Sequence, residues 1–463
     1  MIRRSIFENI SPLDHRYSLN EEDFLKYTRY LSEKARVKYQ ARVEAALVKV
    51  LAQRGICPER VSEEVSKAVS EIIAEEVYNE ESRTKHDIRA LVNCIQRKVS
   101  PEARPYVHFT TTSFDIVDTA NSLRYKEVSS ELIIPTLYKL EKLLMDIAVR
   151  EKDTIQVART HGQHAVPITL GFTFAGYVSR LGNRIRELKN KSSILVGKIS
   201  GAVGAYNASH LFFDDPEEFE REVLAELGLQ PSTHSTQIVE AEYITDFVHA
   251  LVSCFGVLAS ISDDMRHLQR SEIAEIGEYF DREQVGSSTM PHKRNPINYE
   301  NVKSLWKEFM PRMNTVYMDQ LSEHQRDLTN SASSRFVPEI VVGLMEAVNR
   351  LIRVFKRIAV DYDSIKRNFE MNKEMIVAEP LYILLASYGH PDAHEAVRVM
   401  TLEAQQRGRY LRELVLEKEE LKPYLALFSE KQKELLINPE KYTGIAVEKT
   451  VRIVDYWKKE LRF

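Results

Sequence analysis

Residues 135–153 read PTLYKLEKLLMDIAVREKD and carry the pattern from which the fold is predicted. Pro135 can occupy the first turn of a helix, where the N–H that proline lacks would have no partner anyway. Leu137, Leu140 and Leu144 then fall on one stripe at helical spacing, and charged residues occupy the other faces. The stretch therefore predicts a long amphipathic helix that buries one face against other helices.

Four further runs repeat this pattern and are also longer than an average globular helix, which indicates an elongated bundle. A shorter helix is predicted for SEEVSKAVSEIIAEEV, opening at Ser62. No strand pattern, repeat or low-complexity linker stands out, so the sequence predicts an all-α fold. The four long runs are residues 171–198, 240–272, 296–322 and 335–360, and shorter helices broken by Gly389, Pro391, Pro423 and Pro439 follow them.

Composition narrows the classes of function. The 463 residues include only 16 Gly and carry a net charge of −4, which favours helices and excludes a global positive field for nucleic acid or an anionic membrane. Three widely spaced cysteines argue against a disulfide framework. No apolar segment follows the two arginines near the start, and FVHALVSCFGVLASIS (247–262) is shorter than a membrane span. We therefore expect a cytoplasmic protein that binds neither nucleic acid nor a membrane.

The stretch ARTHGQHAVPITLGF (158–172) places two histidines ahead of an apolar run. The unperturbed pKa of histidine is near neutral, so His161 or His164 could donate a proton to a leaving group. A structural role at a helix entry is the alternative, and for a lone histidine it is the more common one. A metal site is not predicted, because no carboxylate or cysteine lies nearby in the sequence.

Three other polar segments hold hydroxyls and cations that suit oxyanion recognition. In HFTTTSFDIVDTA (108–120), Ser113 or Asp115 could equally cap the following helix. In HQRDLTNSASSR (324–335), two arginines frame a serine-rich turn and could cradle a phosphate, or the turn could be an ordinary surface loop. The third segment is SRTKHDIRA (82–90).

The segment EQVGSSTMPHKRNP (283–296) is difficult to explain by structure alone. Its Gly-Ser-Ser turn offers backbone N–H groups and two hydroxyls, and Lys293 and Arg294 follow closely. Such a loop can bind a carboxylate and lower the pKa of a serine, so that the serine acts as a base. The basic run is too short for a nucleic-acid patch, and the P-loop spacing is absent.

The loop GSSTMPHKRNP resembles the signature loop of the fumarase/aspartase superfamily, whose members are helical lyases that release fumarate from succinyl-bearing substrates. HFTTTSFD and ARTHGQHAVPITLG resemble the same superfamily in the same order. SPLDHRY (11–17), TKHD, HSTQIV (234–239) and QRDLTNSASSR are similar to its adenylosuccinate lyase family. One position departs from the family, which usually has Gly where this chain has Thr110, and the added Cβ is expected to tighten the backbone there.

The resemblance implies roles for individual residues. His161 is implied as the general acid that protonates the departing nitrogen, and Ser287 as the general base that takes the proton from the succinyl β-carbon. Lys293 is implied to stabilise the aci-carboxylate intermediate and Glu300 to orient the histidine side of the site, and His86 is counted with these catalytic residues. The implied substrate contacts are Arg16, Tyr17, Lys85, His86, Asp87, Thr112, Ser113, Gln237, Ser288, Lys293, Arg294, Asn295, Asn301, Arg326, Ser331 and Arg335, of which the last three would meet a phosphate.

The resemblance further implies three domains and a homotetramer whose active sites are shared between subunits. The domains would be residues 1–111, a central long-helix bundle at 112–364 with the loop 283–296, and residues 365–463. The substrate would be a succinyl nucleotide, with no metal and no organic cofactor. Alternatives are a sister lyase such as argininosuccinate lyase or a carboxymuconate cycloisomerase, a non-catalytic helical scaffold, and a helical nucleic-acid-binding protein, which the acidic balance disfavours.

Overall fold

The computed structural model describes residues 5–19 and 21–463, and helices dominate this part of the chain. The first ten are α1 Glu21–Leu31, α2 Glu33–Gln53, α3 Glu59–Ser70, α4 Ala74–Thr84, α5 Asp87–Arg97, α6 Ser113–Val128, α7 Ile134–Arg150, α8 Leu170–Ser193, α9 Pro216–Glu226 and α10 Glu242–Leu268. The others are α11 Ile297–Phe309, α12 Arg312–Met318, α13 Val337–Phe355, α14 Tyr362–Ile376, α15 Ala378–Ser387, α16 Ala393–Arg407, α17 Leu411–Glu417, α18 Lys422–Leu425, α19 Glu430–Ile437 and α20 Ala446–Leu461.

The predicted long helices form where the apolar periodicity placed them. In α7 the side chains of Leu137, Leu140 and Leu144 are fully buried, which confirms the stripe read from the sequence. A π-helical turn, Ser129–Ile133, joins α6 to α7 and ends two residues before Pro135, and a break in the regular hydrogen-bond ladder suits a residue without an N–H.

Helix α10 is long and apolar enough, by length and composition, to cross a membrane. However, 67% of its most apolar stretch is buried inside the protein. Among the residues buried there are Phe247, Leu251, Phe255 and Leu258, each with at most 1% of its surface exposed. This burial is what the sequence led us to expect of a core helix.

The described chain divides into two compact units, each assembled from three separate stretches. Because the unit boundaries fall within helices rather than in loops, no glycine- or proline-rich linker marks them. The predicted division into three sequential domains stays a prediction. The first unit contains Met1–Tyr138, Asn183–Leu258 and Ser304–Asn349, and the second contains Lys139–Gly182, Ala259–Lys303 and Arg350–Phe463.

In the first unit, α2 packs against α3, α6 and α9. In the second, α15, α16 and α17 supply most of a buried apolar cluster that includes Leu381, Leu385, Val397 and Leu411. Helix α14 of that unit packs against a two-stranded antiparallel sheet formed by β1 Ile155–Thr160 and β2 Gln163–Thr169. A second small antiparallel sheet pairs β3 Ile276–Gly277 with β4 Ala359–Val360.

Three local predictions were wrong. The histidine segment forms the β1–β2 hairpin, although no strand was expected. SEEVSKAVSEIIAEEV is not one helix opening at Ser62, because α3 begins at Glu59 and the chain breaks before α4. The run at 296–322 is divided into α11 and α12 at Met310 and Pro311, where proline removes a hydrogen-bond donor.

Candidate active site

His161 lies at the tip of the β1–β2 hairpin. Thr160 pairs with Gln163, so the turn has only two residues, His161 and Gly162, with φ of 53° and 76°. A type I′ turn needs positive φ at both positions, and glycine meets that need without strain. The hairpin therefore presents the His161 imidazole, which is exposed, at its outermost point.

The loop 283–296 is closed by a contact of its own backbone. A Cβ on Gly286 would lie 2.0 Å from the carbonyl oxygen of Lys293, so glycine permits this approach. The side-chain amide of Asn295 donates to the carbonyl oxygen of Gly286 at 2.8 Å. These two contacts bring the two ends of the loop, at Gly286 and at residues 293–295, close together and fix the position of the Gly-Ser-Ser turn.

Within this loop, the hydroxyl oxygen of Ser287 accepts the backbone N–H groups of Thr289, at 3.4 Å, and of Met290, at 3.1 Å. Two N–H donors stabilise an oxygen more when it is anionic than when it carries its proton, so they favour deprotonation of the serine. Ser288 and Lys293 of the same loop are exposed. The loop thus carries both a candidate base and a cation.

The end of the loop joins helix α11, whose first turns carry Glu300 and Asn301. The buried carboxylate of Glu278 accepts the backbone N–H groups of Asn298, at 2.8 Å, and Tyr299, at 3.0 Å, and so caps this helix. Burial raises the pKa of Glu278, and these hydrogen bonds oppose the rise. The cap fixes the direction in which α11 leaves the loop.

The first unit contains a separate set of predicted residues around one cavity of about 1010 Å³. This volume is at the upper end of the range of ligand pockets in proteins. The lining also contains Phe114, Asp118 and Asn121, which the sequence did not point to. The predicted residues that line it are Lys85, His86, Asp87, Ser113, Gln237, Arg326, Ser331 and Arg335.

Two helix N-termini meet at this cavity. His86 is the N-cap of α5, with its Nδ1 accepting the Arg89 N–H at 3.3 Å, and its Nε2 lies 3.4 Å from the hydroxyl of Ser113. Ser113 is the first residue of α6. Since the N-terminus of a helix carries partial positive charge, the two termini favour an anion between them.

The start of α6 is held by a buried ion pair. Asp115 accepts the Thr112 N–H at 2.7 Å and pairs with the ammonium of Lys198, and both side chains are at most 1% exposed. Asp115 also accepts the Gly201 N–H at 3.2 Å. The alternative that Asp115 serves the helix start is therefore confirmed, whereas Ser113 lies on the cavity.

Arg326 is held over an aromatic ring. Its guanidinium carbon lies 4.1 Å from the centre of the Phe114 ring, and it donates to Asn330 at 3.0 Å. Burial lowers the pKa of Arg326, which lies close to the carboxylate of Asp118. The Nε of Arg335 donates to the carbonyl oxygen of Ser331 at 3.2 Å. Both arginines keep further N–H groups that can reach a ligand.

Asp118 ties the segment containing Gln237 to helix α6. It accepts the Val239 N–H at 3.0 Å, two residues beyond Gln237. Burial raises the pKa of Asp118 to about 6, although this hydrogen bond and nearby cations lower it. Asp118 lies four residues after Phe114, one turn further along the same face of α6, and this spacing was the signal that the sequence offered.

Thr110 adopts a left-handed conformation, with φ of 62°. This explains why glycine suits the position, because only glycine takes such a φ without strain. The Cβ of Thr110 therefore strains the backbone at this position, three residues before Ser113.

Arg16, Tyr17 and Thr112 are predicted contacts of the first unit that lie outside the cavity lining. Ser11 and Asp14, from the segment 11–17 that contains Arg16 and Tyr17, do line it.

The guanidinium of Arg294 lies 5.8 Å from the centre of the Phe280 ring, and the Arg294 carbonyl oxygen accepts from the Gln269 side-chain amide at 3.2 Å. No group of three or more histidine, cysteine or acidic residues able to hold a metal occurs in the described part of the chain.

Comparison with known proteins adds the decisive observation. A family model described as Lyase matches residues 18–308, and one described as Adenylosuccinate lyase C-terminal matches residues 322–443. Adenylosuccinate lyase of Methanocaldococcus jannaschii is 36% identical over 98% of this chain and 96% of its own length. That of Archaeoglobus fulgidus is 34% identical over 98% and 100%. The chain belongs to the adenylosuccinate lyase family.

Solved structures place this member of the adenylosuccinate lyase family in the fumarase/aspartase fold, which confirms the predicted all-α class. A 3-carboxy-cis,cis-muconate lactonizing enzyme from Pseudomonas putida has a TM-score of 0.82 and 25% identity, with 96% of this chain and 99% of that chain covered. A fumarate lyase from Mesorhizobium sp. BNC1 has a TM-score of 0.81 and 22% identity, with 93% and 97% covered. The C-terminal match also extends the adenylosuccinate lyase resemblance beyond residue 335.

Proposed function

We propose that this chain eliminates fumarate from adenylosuccinate, giving AMP, and from succinylaminoimidazole carboxamide ribotide, as a carbon–nitrogen lyase of purine biosynthesis in the cytoplasm. The observation that carries the proposal is the Ser287 hydroxyl, which accepts two backbone N–H groups in a loop that also holds Lys293. A proton on carbon next to a carboxylate is weakly acidic. A base therefore needs a stabilised anionic form and a cation nearby.

The reaction then runs in two steps. Ser287 removes the β-carbon proton, and the negative charge that develops on the adjacent carboxylate is neutralised by Lys293. The C–N bond breaks as His161 gives its proton to the departing nitrogen. Ser288, Arg294 and Asn295 would orient the carboxylates, and Glu300 would orient the acid. The proposal requires no metal and no organic cofactor.

The cavity of the first unit is proposed to hold the nucleotide. Arg326 and Arg335 frame the turn that contains Ser331, and guanidinium groups bind phosphate oxygens through paired N–H donors. The ring of Phe114 fixes the Arg326 guanidinium in place before substrate arrives. Lys85 and the N-termini of α5 and α6 add positive potential around the same space.

We further propose that the active enzyme is a homotetramer with sites shared between subunits. His161, Ser288 and Lys293 are exposed in the single chain, yet proton transfer and carbanion stabilisation work best where water is excluded. Exposed apolar side chains such as Met318, Leu321 and Leu328, at 62–79% exposure, are available for burial between copies. Other subunits would therefore cover these loops and complete each site.

The test is direct measurement of fumarate release from adenylosuccinate by the purified protein. Ser287→Ala is expected to lower kcat by about 1,000-fold or more, because the general base is lost. Thr289→Val changes a neighbouring loop side chain with no assigned role and should keep kcat within about threefold. Absence of fumarate from the unmodified protein would reject the proposal.

The structural likeness to a muconate lactonizing enzyme does not favour that activity. The curated adenylosuccinate lyases share 34–36% identity over nearly the whole chain, whereas the lactonizing enzyme shares 25%. A muconate or argininosuccinate substrate carries no nucleotide phosphate, so neither uses the arginines around Ser331. Fumarate release from argininosuccinate, but not from adenylosuccinate, would establish a sister lyase instead.

A further inference from the structure

We propose that Glu275 is a positioning residue that clamps the catalytic hairpin and so sets where the His161 imidazole lies. The inference rests on the role of His161 in the proposed function. Glu275 immediately precedes strand β3, and its side chain is completely buried. Burying a carboxylate costs free energy unless several hydrogen-bond donors compensate it. The donors around the Glu275 carboxylate come from the β1–β2 hairpin and from helix α14, which packs against it.

The carboxylate of Glu275 reaches strand β1 at two points. It accepts the Gln156 amide at 2.6 Å and the Arg159 guanidinium at 2.6 Å. The strand register shifts between Val157 and Arg159, so the two contacts bridge a bulge in the hairpin. Bulges bend a strand and re-aim the residues beyond them. A carboxylate that spans the bulge therefore fixes the direction of the tip, two residues beyond Arg159.

The clamp is anchored on helix α14. Asn368 donates to the Glu275 carboxylate at 2.8 Å and to the carbonyl oxygen of Ile273 at 2.7 Å, and the Asp361 N–H donates to the Glu275 carbonyl at 3.0 Å. Both the side chain and the backbone of Glu275 are thus tied to elements outside the hairpin. Movement of the hairpin relative to α14 would therefore break the bonds that Gln156 and Arg159 make to the anchored carboxylate.

The second strand is attached to the same helix. His164 pairs with Arg159 across the hairpin, and its Nδ1 lies 3.1 Å from the side-chain amide of Asn372 on α14. Burial, and then the charge of Arg159, lower the pKa of His164. His164 thus belongs to the support of the hairpin, whereas the tip residue His161 is left to meet the substrate.

Glu151 supplies a matched control for a purely structural role. It is also buried, at 1% exposure, and it accepts from Arg150 at 2.7 Å, from Thr154 at 2.8 Å and from Tyr362 at 3.1 Å. These contacts lie at the base of the hairpin, before the bulge. Glu151→Gln therefore removes a comparable buried charge without releasing the tip.

The experiment compares Glu275→Gln, Arg159→Lys and Glu151→Gln in the full-length protein. In Glu275→Gln the new amide N–H faces donors, so the clamp opens, and a displacement of about 1 Å at His161 should lower kcat about 100-fold. KM should stay within about threefold, because substrate affinity is set mainly by contacts elsewhere. Arg159→Lys keeps the charge but loses the fork geometry, and should lower kcat about 10-fold.

Amide hydrogen exchange in residues 160–164 gives a second readout that needs no substrate. Exchange there should speed up in Glu275→Gln and stay unchanged in Glu151→Gln, even if both variants melt at lower temperature. Equal exchange in the two variants, or a kcat within about threefold of the unmodified protein in Glu275→Gln, would overturn the clamp. Faster exchange in Glu275→Gln, together with no fumarate release by the unmodified protein, would support the clamp and reject the proposed function.

Discussion

Replacing Thr110 by glycine should stabilise the folded chain. Its φ of 62° is a left-handed conformation that costs an L-residue about 1–2 kcal/mol relative to glycine. The Thr110 hydroxyl is buried and has no hydrogen-bond partner among the residues described, and an unpaired buried hydroxyl costs about 1–3 kcal/mol. Glycine has more conformational freedom in the unfolded chain, and this offsets about 0.5–1 kcal/mol of the stabilisation. The net gain should be about 1–4 kcal/mol.

Calorimetric Tm values of three proteins separate the two contributions. Thr110→Ala removes the hydroxyl but keeps a Cβ in the left-handed conformation, whereas Thr110→Gly removes both. The Tm should therefore rise from the unmodified protein to the alanine variant and again to the glycine variant. A glycine variant that melts below the alanine variant would show that backbone strain at this position has been overstated.

Three further predictions concern other buried or binding groups. Burial raises the pKa of Glu141 well above 4.5, and its carboxylate has no hydrogen-bond partner among the described residues. The folded protein therefore loses about 1.4 kcal/mol of stability for each pH unit above the ordinary glutamate pKa, until the raised pKa is reached. Glutamine cannot ionise, so Glu141→Gln should remove this loss. The Tm of the variant should therefore exceed that of the unmodified protein by more at pH 7 than at pH 5. An equal difference in Tm at the two pH values would contradict the reasoning. Lys198→Met leaves Asp115 buried without its partner and should cost about 3–5 kcal/mol in chemical denaturation, which an unchanged denaturation midpoint would refute. Arg335→Ala removes a proposed phosphate contact and should raise KM for adenylosuccinate about 10- to 100-fold with little change in kcat, whereas an unchanged KM would point to a substrate without a phosphate.

Helical periodicity was a reliable guide because it reflects burial of one face. The run predicted at 171–198 forms α8, Leu170–Ser193, and the run at 335–360 forms α13, Val337–Phe355. The break between α3 and α4 was missed because no proline or glycine marks it, so local propensity alone continued the helix. Element type was thus predictable where the period was long, and boundaries were not.

The hairpin that carries His161 shows why local patterns fell short. The alternation of Ile155 and Val157, and later of Val166 and Ile168, was a weak strand signal, with a His-Gly pair suited to the turn. An isolated two-stranded hairpin is marginal in water, so its stability must come from packing. Helix α14, about 200 residues further along the chain, provides that packing.

The sequence by itself determined the all-α class, the family and the chemical types available to the site, because these depend on periodicity and on short motifs. Only the tertiary structure decided that Glu275 meets Arg159, that Asp115 meets Lys198, and that Phe114 supports Arg326. The physical reason is that such contacts join residues far apart in the chain. Their free energy depends on shared burial, which no local pattern encodes.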